Sequence, residues 1–137
     1  MFISNNEPDV MIISEVIPKN QVNPITMALL DIDEYTCVLN FDPDERNLGA
    51  SGIRGVAIYY KESLKASEIE FNVDGFTDHK WIEISSDKGN LLCGCIYRSP
   101  SSDTDKTASM ESSRKVTQLI EMAYRRNSNL LITGDFN

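Results

Sequence analysis

The sequence is poor in the side chains from which catalytic and metal-binding centres are most often built. Its 137 residues include one histidine, His79, and three cysteines. Cys93 and Cys95 alternate along an apolar stretch, but no second Cys or His pair accompanies them, so the chain lacks the four-ligand set of a structural zinc site. We expect both thiols to be buried as small apolar side chains. His79 precedes a predicted strand, where we expect it to be exposed and to have no catalytic role.

An excess of basic residues is also missing. Thirteen Lys and Arg residues stand against 21 Asp and Glu, which gives a formal net charge of −8. The net charge therefore provides no long-range attraction to nucleic acid or to an anionic membrane. Any phosphate chemistry would depend on a local site or on a bound cation.

Long hydrophobic runs are absent too. No apolar stretch approaches the length of a membrane span, and the first residues lack the basic and apolar segments of a signal peptide. The odd number of cysteines and the absence of Asn-x-Ser/Thr sequons favour a reducing compartment. These features predict an intracellular protein without a membrane partner.

Short apolar runs separated by turn residues predict a chain rich in strands. The expected strands are 9–14, 35–40, 53–60, 69–73, 81–85, 91–97 and 129–133. We expect the first and the last to be buried, and 69–73 and 81–85 to be half solvated because their apolar and polar residues alternate. Residues 87–90, Asp-Lys-Gly-Asn, are typical of a hairpin turn.

The hydrophobic period changes near the end of the chain. Val116, Leu119, Ile120 and Ala123 recur at helical spacing and predict an amphipathic helix over 110–126. Many strands with few helices indicate the α+β class, folded as a layered α/β sandwich of mixed sheets flanked by helices.

Two of the predicted strands lead to a carboxylate. Glu15 follows the first strand, and Asp135 follows the last. Carboxylates at the ends of neighbouring strands are a common way to hold Mg²⁺ through oxygen ligands. Each side chain could equally extend into solvent, which is the usual fate of Asp and Glu. The two residues alone leave both interpretations open.

Three segments together resemble the endonuclease/exonuclease/phosphatase superfamily. They are Ile-Ser-Glu at 13–15, Cys-Ile-Tyr-Arg-Ser-Pro at 95–100 and Gly-Asp-Phe-Asn at 134–137. The Tyr-Arg-Ser-Pro step and the run Ser-Gly-Ile-Arg-Gly-Val-Ala-Ile-Tyr-Tyr at 51–60 are most similar to the endonuclease domain of non-LTR retrotransposons, which precedes a reverse transcriptase. The resemblance extends from about residue 7 to residue 137 and implies the superfamily's layered fold.

The resemblance also implies roles for four residues, and a fifth, Arg98, is suggested by its position next to Tyr97. Glu15 matches the glutamate that holds a divalent cation, Mg²⁺ or Mn²⁺, against the scissile phosphate. Tyr97 matches the tyrosine that hydrogen-bonds the phosphate near the reaction centre. Asp135 and Asn137 match the two polar residues of Gly-Asp-x-Asn, the first linked to positioning or activating water and the second to a phosphate oxygen. Arg98 could reach a phosphate, although strand alternation places it on the face opposite Tyr97.

Parts of the superfamily pattern have no counterpart in the sequence. No strand carrying the family's asparagine precedes residue 7, and the segment with a further aspartate and a Ser-Asp-His end is not found. We therefore expect residues 1–137 to form a partial domain that lacks the first strand, the C-terminal half and the catalytic histidine.

The activity implied by the resemblance is metal-dependent phosphodiester hydrolysis. In its most specific form this is a Mg²⁺-dependent endonuclease that nicks DNA for a retrotransposon, with DNA as the substrate of the full-length protein and the nucleus as its location. Two alternatives remain. The chain could belong to a phosphatase or phosphodiesterase of the same fold that acts on other substrates, or it could be an inactive remnant.

Overall fold

Two β-sheets and one long helix carry the fold in the computed structural model, which describes residues 7–100 and 106–136. In chain order the elements are β1 (Val10–Ser14), α1 (Met27–Leu30), β2 (Tyr35–Leu39), β3 (Val56–Lys61), β4 (Ala66–Ile69), β5 (His79–Ser86), β6 (Gly89–Tyr97), α2 (Lys106–Arg126) and β7 (Leu130–Asp135). A short 3₁₀ turn, Leu48–Ala50, interrupts the loop before β3. Within these ranges, no helix is long and apolar enough to cross a membrane.

The two sheets differ in strand direction. The first has the order β1-β3-β2 and is antiparallel throughout. The second has the order β4-β5-β6-β7, in which β6 and β7 run parallel. A parallel pair needs a long crossover, and α2 supplies it. The predicted α+β class is confirmed, with the mixed sheet formed by the parallel pairing of β7.

The main core lies between the two sheets. Val38 and Ile58 of the first sheet meet Ile82, Cys93 and Cys95 of the second. All five are buried, which confirms the expectation for the two thiols. Burial also raises the pKa of both thiols, that of Cys95 to about 11, so they stay protonated and behave as apolar side chains.

The opposite face of the second sheet is covered by α2. The predicted helical stripe packs there, with Leu119 and Ala123 fully buried against Trp81, Leu92 and Ile96. The structure therefore confirms the helix and shows three layers, which are sheet, sheet and helix. The hairpin at 87–90 is confirmed as well, since Ser86 pairs with Gly89 where β5 turns into β6.

Several predictions about strand burial and strand bounds are wrong. β5 is not half solvated, because the first sheet covers Ile82 and α2 covers Trp81, and both are fully buried. β1 and β7 are not fully buried, since Ile13 is 42% exposed and Leu131 is 50% exposed. In place of the strand expected at 69–73, β4 extends from Ala66 to Ile69 and so shares only one residue with the prediction. The strand expected from residue 53 begins only at Val56.

Gly94 illustrates how closely the second sheet is packed. It pairs with Trp81 across β5 and β6, and a Cβ atom on Gly94 would clash with the Cε3, Cζ3 and Cη2 atoms of the indole ring. We expect Gly94→Ala to lower the free energy of unfolding by about 3 kcal/mol or more, because neither the rigid ring nor the paired backbone can move away.

Gly52→Ala provides the control. Gly52 has a φ of +81°, and no atom beyond its chain neighbours lies within 4 Å of the position that an alanine methyl group would take. The cost should therefore be limited to backbone strain of about 1 to 2 kcal/mol. Urea unfolding followed by the fluorescence of the single tryptophan measures both variants. Equal losses in the two would contradict the packing argument.

Candidate functional site

Glu15 is placed by a break in the pairing of β1 with β3. The last ladder pair is Ser14 with Val56. Beyond it, the Val16 N–H donates to the Gly55 carbonyl at 3.2 Å, and the pairing has slipped by one residue. Glu15 is the additional residue and has a φ of +57°, in the left-handed region. Such a bulge redirects a side chain at a strand end, and here it redirects the Glu15 carboxylate.

The Glu15 carboxylate meets the second sheet through Tyr97. The Tyr97 hydroxyl donates a hydrogen bond of 2.6 Å to Glu15 Oε1. Tyr97 is 3% exposed, whereas the Glu15 side chain is 49% exposed. Burial, and then the neighbouring Glu15 carboxylate, raise the pKa of Tyr97. The phenol therefore remains a proton donor at neutral pH.

Asp135 lies beside Tyr97 by strand register. The two residues are Cα partners in the parallel pairing of β6 with β7, and paired residues of parallel strands share a face. Asp135 is thus on the face of the second sheet that packs against β1. The pairing continues past the strand end, since the Arg98 N–H donates to the Asp135 carbonyl at 2.7 Å. Asn137 lies outside the described residues.

Arg98 is on the other face of the same sheet, as strand alternation predicts. Its Nη2 donates to the Ser109 Oγ at 2.8 Å, and its Nη1 donates to the Phe136 carbonyl at 3.2 Å. These bonds tie the end of β6 to α2 and to the end of β7. The phosphate contact suggested for Arg98 stays a prediction, and the structure assigns its guanidinium a different set of partners.

Three residues at the site were missed by the sequence analysis. Arg54 Nε lies 3.9 Å from Glu15 Oε1, and the Arg54 side chain is 14% exposed. Asp78 is partly buried next to this arginine, and Asn40 donates to Asp78 Oδ1 at 3.2 Å. Arg54 stands in the run at 51–60 that carries the resemblance, but nothing in the sequence alone connects it with Asp78 or Asn40.

The environment of Asp78 is mixed. Burial raises the pKa of Asp78, and the hydrogen bonds from Asn40 and from the backbone N–H groups of Gly55 and Arg54 act against that rise. Asn40 also accepts from the Val56 N–H at 2.7 Å. Asp78 and Asn40 together therefore hold the backbone just before β3 against the second sheet.

A cavity of about 290 Å³ opens beside these groups. Asp78, Tyr97 and Ser99 contribute to its lining, together with backbone and side chains of 51–53 and with Ser112 of α2. It is bounded on one side by the phenol that contacts Glu15. The cavity therefore lies next to the residue that contacts Glu15.

The fit of the site to a divalent cation depends on Glu15. Among residues 7–100 and 106–136, no group of three or more His, Cys, Asp or Glu side chains could hold a metal ion. Mg²⁺ at phosphoryl-transfer sites is usually bound by one or two carboxylates, with waters and substrate phosphate completing the shell. The half-exposed Glu15 carboxylate fits a site of this kind, in which the protein supplies only one or two carboxylate ligands.

His79 is not exposed, contrary to the sequence prediction. It is 9% exposed and stacks on Phe76, with ring centroids 5.8 Å apart. The Trp81 Nε1–H donates to His79 Nδ1 at 3.2 Å. The alternating pattern of β5 does not predict the burial of His79, because that burial depends on Phe76 in the preceding loop. His79 shares a strand face with Trp81, toward the α2 side of the sheet.

Comparison with known proteins gives a family and a fold. The model of the Endonuclease/Exonuclease/phosphatase family matches residues 1–137. A structure of the human Nocturnin catalytic domain with bound sulfate anion is similar at a TM-score of 0.58 and 14% sequence identity, over 98% of this chain and 53% of that one. The chain thus spans about half the length of this neighbour, and at such identity the likeness concerns the fold alone. No curated protein sequence matches the chain.

The burial of His79 predicts a pH dependence of stability. Burial lowers the pKa of His79 below its ordinary value of 6.5, so the unfolded chain takes up a proton at a higher pH than the folded chain does. The free energy of unfolding should fall as the pH drops below about 6.5, and His79→Gln should remove this part of the fall. Urea unfolding at a series of pH values measures it, and parallel profiles for the two proteins would contradict it.

Proposed function

Since this chain belongs to the endonuclease/exonuclease/phosphatase family, we propose that its Glu15 site takes part in metal-dependent phosphodiester hydrolysis. Enzymes of the family typically use divalent metals. The observation that carries the proposal is the 2.6 Å hydrogen bond between Tyr97 and Glu15. It brings a carboxylate from one sheet and a phenol donor from the other to one point, with Asp135 on the adjacent strand.

Each residue has a chemical task in this proposal. Glu15 would hold Mg²⁺ or Mn²⁺, and the cation when bound neutralises phosphate charge and stabilises the leaving oxygen. Tyr97 keeps its single hydroxyl proton, which it donates to Glu15 in this structure and would donate to a phosphate oxygen once Glu15 binds the cation. Asp135, on the same face, is suited to orient the attacking water by accepting a hydrogen bond from it. Asn137 would contact a phosphate oxygen, as the sequence resemblance implies.

For the substrate, we propose DNA, nicked on behalf of a retrotransposon. The support is the similarity of residues 51–60 and of the step at 97–100 to the endonuclease domain of such elements. The net charge of −8 means that binding to a polyanion would depend on groups at the site, because the protein as a whole repels it.

Two other interpretations have an observation in their favour. The acidic surface charge suits a small phosphate ester better than a long polyanion, which favours a phosphatase or phosphodiesterase of the same fold. The burial of His79, the sequence's one histidine, leaves no imidazole of this sequence at Glu15, which favours an inactive remnant. The experiments below separate the three.

Metal binding is the first test. We expect the chain to bind Mg²⁺ with a dissociation constant of roughly millimolar order, because few carboxylates converge on the site. Glu15→Gln should abolish this binding, while Glu111→Gln, which removes an exposed carboxylate on α2, should leave it unchanged. Calorimetry or amide chemical shifts can measure it. Micromolar binding, or binding that survives Glu15→Gln, would be incompatible with the proposed site.

Hydrolysis is the second test, on the product of the complete reading frame that contains these residues. We expect Mg²⁺-dependent nicking of supercoiled plasmid, reduced by at least about 100-fold in Glu15→Gln, since charge stabilisation by the metal is worth several kcal/mol. Glu111→Gln is again the control. Preferential cleavage of a small phosphate ester would identify the second interpretation, and hydrolysis of neither substrate would identify the inactive remnant.

A further inference from the structure

We propose that Arg54, rather than Arg98, is the arginine that contacts the substrate phosphate, an inference that rests on the proposed function of the Glu15 site. Arg98 was suggested from the sequence because it follows Tyr97. The structure places a different guanidinium on the side of the sheet where Tyr97 and Glu15 meet.

Arg54 is brought to the site by backbone pairing. Its carbonyl accepts the Ile17 N–H at 2.9 Å, just past the bulge that redirects Glu15. As a result its Nε lies 3.9 Å from Glu15 Oε1. The positive charge of Arg54 also acts on the two other ionisable groups at this point, since it lowers the pKa of both Tyr97 and Asp78 against larger opposing effects.

The backbone around Arg54 is held in one position. The backbone N–H groups of Gly55 and Arg54 are near enough to Asp78 to lower the pKa of its carboxyl against the effect of burial. Gly55 has a φ of +74°, and a Cβ atom there would lie 2.9 Å from side-chain atoms of Ile17 and Phe41. A guanidinium on such a rigid segment loses little freedom when it binds an anion, which is the condition for effective positioning.

The guanidinium has hydrogen-bonding capacity that the protein does not use. Arg54 Nε is buried without a hydrogen-bond partner, and its 3.9 Å distance to Glu15 is too long for a hydrogen bond. Buried donors are nearly always paired, so an unpaired one at a site calls for an explanation. The Arg54 side chain as a whole is 14% exposed.

Arg98 differs in the partners it already has. Its Nε is also buried and unpaired, but both of its terminal nitrogens donate to protein oxygens of Ser109 and Phe136. Contact with a phosphate would break these bonds between β6, α2 and the end of β7. Arg98 therefore serves the packing of the helix on the sheet.

Charge balance gives the same assignment. Asp78 lines the cavity, while Glu15 contacts Tyr97 and Asp135 is paired with Tyr97, so a phosphodiester bound at this point meets negative charge. A fixed guanidinium offsets part of that repulsion and can form two parallel hydrogen bonds to phosphate oxygens. Arg54 would supply this on the Glu15 side of the cavity.

The test uses dimethyl phosphate as a phosphodiester probe on the 137-residue chain with Mg²⁺ present. The side-chain Nε–Hε NMR signals of the arginines report contact directly and do not need turnover. We expect the Arg54 signal to shift in a saturable way and the Arg98 signal to stay in place. Arg54→Gln should weaken binding roughly tenfold, and Arg54→Lys, which keeps the charge but not the fork, by less.

Variants on α2 and β6 provide the comparison. Arg114→Gln, at an exposed helix position, should bind the probe like the wild type, and Arg98→Gln should lower the melting temperature while keeping the probe affinity. Amide spectra establish whether each variant is folded. If Arg54→Gln does not fold, the probe affinity of Arg54→Lys tests the role of Arg54.

The outcomes separate this inference from the proposed function. Unchanged affinity in a folded Arg54 variant, or loss of affinity in Arg98→Gln, would overturn the role of Arg54 while Glu15-dependent Mg²⁺ binding kept the site intact. If the wild type binds neither Mg²⁺ nor dimethyl phosphate, both the role of Arg54 and the proposed function are overturned.

Discussion

The hydrogen bond from the Tyr97 hydroxyl to the Glu15 carboxylate is the contact on which the candidate site depends. It joins two sheets that meet mainly through apolar side chains, such as Ile58 and Cys95. A phenol and a carboxylate can approach to 2.6 Å only if that apolar layer sets the spacing of the sheets. The core between the sheets thus fixes the distance between the groups that would act on a phosphate.

Backbone irregularity at the strand ends completes the arrangement. Glu15 adopts a left-handed conformation that costs free energy for a residue with a Cβ atom, and the bonds from Val16 and Ile17 to the opposite segment hold it there. The same segment carries Arg54, which Asp78 fixes from the second sheet. Groups from both sheets therefore surround the strand end that carries Glu15.

Local sequence patterns predicted the elements whose structure is set locally. The stripe from Val116 to Ala123 predicted α2, and the turn at 87–90 predicted the hairpin, since both signals lie within a few residues. The strand-end carboxylates and the resemblance singled out Glu15, Tyr97 and Asp135. The structure brings Tyr97 to Glu15 by contact and to Asp135 by register. Their catalytic roles stay predictions.

What the sequence did not show depends on contacts between distant segments. His79 is buried by Phe76 and Trp81, and the alternating pattern of β5 carries no information about the loop or the helix that covers it. Asp78 comes from a segment without a recognisable motif, and nothing in the run at 51–60 connects its Arg54 with Asp78. They meet only because β3 and β5 belong to sheets that pack on each other.

The most direct test of the account is anomalous diffraction from crystals of the chain grown with Mn²⁺. We expect an anomalous peak within coordination distance of a Glu15 carboxylate oxygen, on the side of the site where Tyr97 and Arg54 lie. A Glu15 carboxylate that stays bonded to Tyr97 with no anomalous peak beside it, at a Mn²⁺ concentration that fills other carboxylate sites, would contradict the central claim that this is a metal-binding phosphodiesterase site.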